Sequence, residues 1–136
     1  MYFNVTEKYY FDEKNKRTIC VLKLHEDTKK KIQETIDGIN KLLVNLPDGG
    51  MKKITNLYVP KQFKAISSCW KCDTYSKQTG MKIARESAYQ KMNNYEYYFN
   101  FHINKQIENL YKSYYKINSH FYNYKNPRFK IYLDNQ

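Results

Sequence analysis

The chain has 136 residues, 24 Lys and Arg against 13 Asp and Glu, and a formal net charge of +11. Hydrophobic residues make up 41% and aromatics 17%, with 15 Tyr, so there is enough apolar side chain for one core; wholesale disorder is excluded and two independent cores are not expected. Four Gly and three Pro rule out collagen-like and Pro/Gly-rich classes, and the sequence has no run of 18 apolar residues.

Residues Tyr2–Phe11 and Arg17–Leu24 are aromatic and β-branched, and Asp12-Glu13-Lys14-Asn15-Lys16 between them suits a turn, so a β-hairpin is predicted. On the second strand Thr18, Cys20, Leu22 and Leu24 share one face while Ile19, Val21 and Lys23 share the other, and helices are expected to cover one side. From about Thr28 the period changes to three and four, with Ile32, Ile36, Ile39, Leu43 and Leu46 forming the stripe of an amphipathic helix. Glu26 and Asp27 suit its positive N-terminal end, and Pro47-Asp48-Gly49-Gly50 ends it.

Lys53–Val59 and Phe63–Cys69 read as two short strands flanking Pro60. Ser76 is placed to cap a second helix whose stripe is Met81, Ala84, Ala88 and Met92, ending at Asn93-Asn94. Tyr95, Tyr97, Phe99, Phe101 and Ile103 alternate like a strand, yet Phe99, Ile103, Ile107, Leu110, Tyr114 and Ile117 keep a helical period over five turns. The longer pattern predicts a helix over residues 95–117, and the alternation of Phe129, Ile131 and Leu133 predicts an edge strand in the tail. The expected fold is a single α+β domain over residues 1–136, a small antiparallel sheet packed against two or three helices.

Charge is uneven along the chain: residues 47–93 carry a net +6, against +2 before them and +3 after. Of the cations 21 are Lys, which supply point charge rather than the bidentate fork of Arg, so phosphate contacts are expected over base-specific readout. A polyanion is the leading class of partner, and DNA or RNA could be contacted directly. The candidate binding residues are Lys71, ahead of the cap, and Lys77, Lys82, Arg85 and Lys91, set off the apolar stripe of the second helix. Tyr115 and Tyr122 join them from a C-terminal third in which Tyr interleaves with Lys, a composition that stacks bases or anchors a protein partner.

Catalytic and metal chemistry find little support. Cys69-Trp70-Lys71-Cys72 is a single C-x-x-C, His102 and His120 are too far apart for a zinc half-site, and several residues separate the thiols from the helix cap at Ser76. No nucleophile elbow, Gly-rich phosphate loop or paired-carboxylate site stands out, so no catalytic residue, metal or cofactor is expected. With no apolar leader, the expected location is the cytoplasm, with no membrane partner.

Within residues 58–92, Phe63-Lys64-Ala65-Ile66, Cys69, Asp73, Tyr75, Gly80, Ile83-Ala84-Arg85 and Ala88 form a block. It resembles a strand, Cys-x-Pro-x-Asp, turn and Gly-x-x-x-Ala-x-x-x-Ala helix pattern in small uncharacterised proteins of Gram-positive bacteriophages and mobile elements. Lys71 stands where that pattern has Pro. The resemblance implies a phage or mobile-element accessory protein in a bacterial host, of the size of anti-CRISPR and other anti-defence inhibitors. A CRISPR effector or other host nucleoprotein complex would then be the partner. The alternative is a free DNA- or RNA-binding protein serving replication, packaging or transcription.

Overall fold

A computed structural model describes residues 3–46, 50–54, 56–68 and 76–125, with side chains as far as Tyr114. In chain order the elements are strand β1 (Val5–Asp12), strand β2 (Arg17–Leu24), helix α1 (Glu26–Val44), strand β3 (Gln62–Ser68) and helix α2 (Lys77–Lys125). The strands form one antiparallel sheet in the order β1-β2-β3, giving the α+β class that the patterning predicts.

The β1–β2 turn is held by Asp12, whose carboxylate accepts from the backbone N–H of Asn15 at 3.2 Å and from its side-chain amide at 2.8 Å. Lys16 takes φ 51° to complete the reversal. Register then decides which side chains meet. On the inner face the cross-strand rows are Phe11–Thr18–Ser67, Tyr9–Cys20–Ala65 and Glu7–Leu22–Phe63, and Thr18, Cys20 and Leu22 are fully buried there.

Helix α1 begins at Glu26, with Glu26 and Asp27 in its first turn as the sequence places them, and the buried hydroxyl of Thr28 accepts the backbone N–H of Asn4 at 3.0 Å. The N–H of His25 donates to the carbonyl of Asn4, also at 3.0 Å, so the start of α1 is joined to the chain entering β1. Ile32, Ile36, Ile39 and Leu43 are buried as their period requires. After α1 the chain reverses through Gly50 at φ 79°, where an added Cβ would collide with the carbonyl of Val44; this position requires glycine.

Among the described residues the predicted strand Lys53–Val59 is not formed. Ile54 and Leu57, three residues apart, are the buried pair, a spacing that alternating strand faces cannot satisfy. The side chain of Asn40 takes the place of a strand partner, accepting the N–H of Ile54 at 2.7 Å and donating to its carbonyl at 3.4 Å. The hydroxyl of Tyr95 donates to the carbonyl of Tyr58. With the backbone of Ile54 and the carbonyl of Tyr58 met by side chains, the described residues of the segment cover the core without joining the sheet.

The two predicted C-terminal helices are one, 49 residues long and about 74 Å at 1.5 Å per residue. Ser76 caps it as expected, its hydroxyl accepting the N–H of Thr79 at 3.3 Å. Asn93 and Asn94 do not break it; both are exposed, and the stripe of Ala84, Ala88, Met92, Tyr95, Phe99 and Ile103 passes beside them without a phase change. Ala84 and Ala88 have no exposed surface and let α2 lie close to β2 and β3, while further on Tyr95 fills a wider gap between the rings of Phe3, Tyr58, Phe63 and Phe99, 5.6–6.1 Å away. Beyond Ile103 the helix leaves the core progressively: Leu110 is half-buried, Ser113 reaches Met51, and Ile107 and Tyr114 are exposed. The tail expected as an edge strand, and Cys69 and Cys72, lie outside the described residues.

Candidate nucleic-acid interface

Both helices lie on the inner side of the sheet, so among the described residues the outer side is open. Its cross-strand rows follow from the same register: Thr6–Lys23–Gln62, Lys8–Val21–Lys64, Tyr10–Ile19–Ile66 and Asp12–Arg17–Ser68. Rows lie about 6.8 Å apart and neighbouring strands about 4.8 Å, which puts the backbones of Lys8 and Lys64 about 10 Å apart across β2. Val21 is 9% exposed between them, the arrangement in which lysine stems cover an apolar residue and carry their ammonium groups into solvent. Tyr10 and Ile66 in the next row are 54% and 49% exposed, with Ile19 between them. Lys8, Lys23 and Lys64 are all exposed. The result is a shallow platform, apolar in the row of Tyr10 and cationic in the two successive rows on one side of it, which carry Lys8 and Lys64 and then Lys23. Arg17 is less available, because its charge helps, after the Asn15 hydrogen bonds, to hold the Asp12 carboxyl below its usual range.

The helix cations nominated from sequence are exposed, as expected, but mostly engaged. Lys77 pairs with Glu13 at 2.7 Å and lies over the ring of Phe11 at 5.1 Å. Arg85 donates through Nε to Glu7 at 3.1 Å and stacks on Tyr89 at 4.8 Å. Lys91 donates to the carbonyl of Lys64 at 2.7 Å, covering part of the outer edge of β3. Lys82 stands exposed on α2, apart from the sheet platform. Tyr115 and Tyr122 fall on the distal part of α2, where side chains are not described, and Lys71 lies outside the described residues. An anion approaching the first turns of α2 would therefore compete with Glu7 and Glu13.

Glu7 explains why Arg85 is held. Its phase on β1 places it on the inner face between Val5 and Tyr9, opposite Leu22, where a carboxylate needs partners. Tyr89 donates its hydroxyl, Tyr9 donates at 3.0 Å, and Arg85 adds its guanidinium. Together, and with the Tyr89 hydrogen bond foremost, they hold the Glu7 carboxyl below its ordinary range against the opposing effect of burial. The same network raises the Tyr89 hydroxyl, while burial is the main cause that raises Tyr9. A carboxyl lowered by folding contributes stability above its unfolded pKa, about 4.3, and that stability is lost as pH falls through the lower folded value. Glu7→Gln is accordingly expected to cost about 1–2 kcal/mol at pH 7 and to flatten the acid limb of the stability curve, as read by urea unfolding between pH 7 and pH 3.

A second exposed surface lies on α2. Tyr97 is 75% and Phe101 53% exposed, one turn apart, beside a groove lined by Asn100, Asn104, Lys105 and Glu108. Among the described residues no three His, Cys, Asp or Glu side chains are grouped so as to hold a metal ion, and no helix is long and apolar enough to cross a membrane. Cys20 is buried as a small hydrophobe between Tyr9 and Ala65. No family model, curated protein or solved structure matches the chain.

Proposed function

We propose that this is a non-enzymatic nucleic-acid-binding accessory protein, of phage or mobile-element origin and acting in the cytoplasm of a bacterial host, whose contact surface is the open side of the sheet. The observation that carries the reading is the juxtaposition of exposed Tyr10 and Ile66, with half-buried Ile19 between them, and exposed Lys8, Lys23 and Lys64 on a face that neither helix covers. A flat surface offering a ring to bases and ammonium groups to phosphates suits a single strand, whose bases are free to stack, better than a duplex. The net charge of +11 supplies long-range attraction for the same ligand.

Fluorescence anisotropy with a labelled single-stranded oligonucleotide tests the reading. If the three lysines each neutralise one phosphate, log K should fall against log salt with a slope of about −2. Tyr10→Ala should weaken binding by about 1–3 kcal/mol, the effect of one lost stack. Affinity indifferent to salt, or unchanged by Tyr10→Ala, would remove the basis of the proposal.

A second reading, inhibition of a host defence nucleoprotein such as a CRISPR effector, is favoured by the exposed Tyr97 and Phe101, since protein interfaces concentrate energy in aromatic anchors. Under it, Tyr97→Ala with Phe101→Ala abolishes capture of the effector and leaves binding of the bare oligonucleotide intact.

A further inference from the structure

At one end of the open platform, where β1, β2 and the start of α1 meet, Thr6, Lys8, Lys23, Leu24, His25 and Glu26 line a cleft of about 390 Å³. That volume falls within the range of small-ligand sites and exceeds what a lone ion needs. Its donors converge from two strands and a helix terminus. Thr6 and Lys8 follow one another along the outer side of β1, Lys23 faces Thr6 from β2, and the imidazole Nε2 of His25 is 2.8 Å from the Thr6 hydroxyl. Glu26 is the one carboxylate in the lining, and Lys29 of its own helix pairs with it at 3.1 Å. Thr6 and His25 spend one proton on each other and keep one donor between them; with two ammonium groups, around a cleft whose acid is already paired, they make the donor set of an oxyanion site.

We propose that this cleft holds a phosphate group of the strand bound on the platform. The inference rests on the nucleic-acid reading and extends it. The row Lys8–Val21–Lys64 leads the backbone past Tyr10, and the cleft lies at the row beyond it, where α1 begins. A strand following this path meets the end of the track there. The phosphate is either a terminal monoester, with three non-bridging oxygens, or an internal diester, with two, and either can accept from Lys8, Lys23 and the Thr6–His25 pair.

The test uses the full chain, its Lys23→Gln/His25→Gln variant, and Lys53→Gln as a variant of a cation outside the cleft. Each is titrated with inorganic phosphate, followed by amide resonances, and with ten-nucleotide oligothymidylates bearing a 5′-phosphate, a 3′-phosphate or neither. Inorganic phosphate is expected to move the resonances of Thr6, Lys8, Lys23 and His25 in the parent chain and in Lys53→Gln, and to leave the double variant unmoved. The double variant should also lose about 0.7 from its salt slope, one phosphate contact on a single strand. If only the phosphorylated oligonucleotides lose affinity in the double variant, the cleft takes a terminal phosphate; if all three lose it equally, an internal one. A double variant indistinguishable from the parent with phosphate and with every oligonucleotide would overturn the proposal. Were no oligonucleotide to bind while inorganic phosphate still moved the cleft resonances, the nucleic-acid reading would fail and the phosphate site would stand.

Discussion

Replacing Lys8, Lys23 and Lys64 together with Glu is expected to lower affinity for a single-stranded oligonucleotide by about 500-fold at 50 mM salt, from a loss of about 0.7 in slope per phosphate contact carried down from 1 M. The reversal takes the net charge from +11 to +5, and repulsion from three new carboxylates adds to the loss. All three side chains are exposed and lie on the open side of the sheet, so the circular-dichroism spectrum and the unfolding midpoint should change little. The helix variant Lys77→Glu, Lys82→Glu, Arg85→Glu makes the contrast. It sets Glu against Glu13 and against Glu7 in the β1–α2 network, and is expected to lose stability first. Equal loss of binding in the two triple variants at equal stability would show that charge acts through its total amount and not through the platform.

Phe99→Ala is expected to destabilise the fold by about 3–5 kcal/mol, a large part of the 5–15 kcal/mol that small domains possess. Phe99 is 2% exposed and stacks against Tyr95 at 6.1 Å. Its ring lies where α2 passes the aromatic cluster, and removing it leaves a cavity that surrounding rings, fixed by their own contacts, fill poorly. A lower urea midpoint with an unchanged m-value is the expected reading. Phe99 is on the helical side of the sheet, so the oligonucleotide affinity of the molecules that remain folded should match the parent chain. The charge-reversal and core variants thus separate binding from stability in opposite directions.

The hairpin was legible because β1 and β2 alternate around a polar turn, and the observed β2 has the predicted bounds, Arg17–Leu24. The stripe of α1 and the Ser76 cap were legible for the same local reason. The fate of residues 51–60 was not. Ile54 and Leu57 are apolar in a β-prone stretch, but whether it joins the sheet depends on Asn40, fourteen residues earlier, which meets the backbone of Ile54 with its side-chain amide. The continuity of α2 through Asn93-Asn94 was missed because weak helix formers read as a stop, while the apolar stripe on the opposite face carries the helix across them.

For the site, residue identities alone establish the excess of positive charge, its lysine character and the supply of tyrosine. It also held one signal that linear counting passes over. Glu7 is in phase with Val5 and Tyr9 on a strand whose inner face must be covered, and a charge so placed requires a counter-charge from elsewhere. Packing assigns Arg85 to that role and Lys77 to Glu13, and strand pairing sets Lys8 and Lys23 from the chain's first third beside Lys64 from its middle on the open side of the sheet. The net charge of a segment is a property of neighbours along the chain, whereas a binding surface is made by neighbours across strands. The antiparallel register brings residues up to 56 positions apart into one row, and the packing of both helices on the other side leaves that row open.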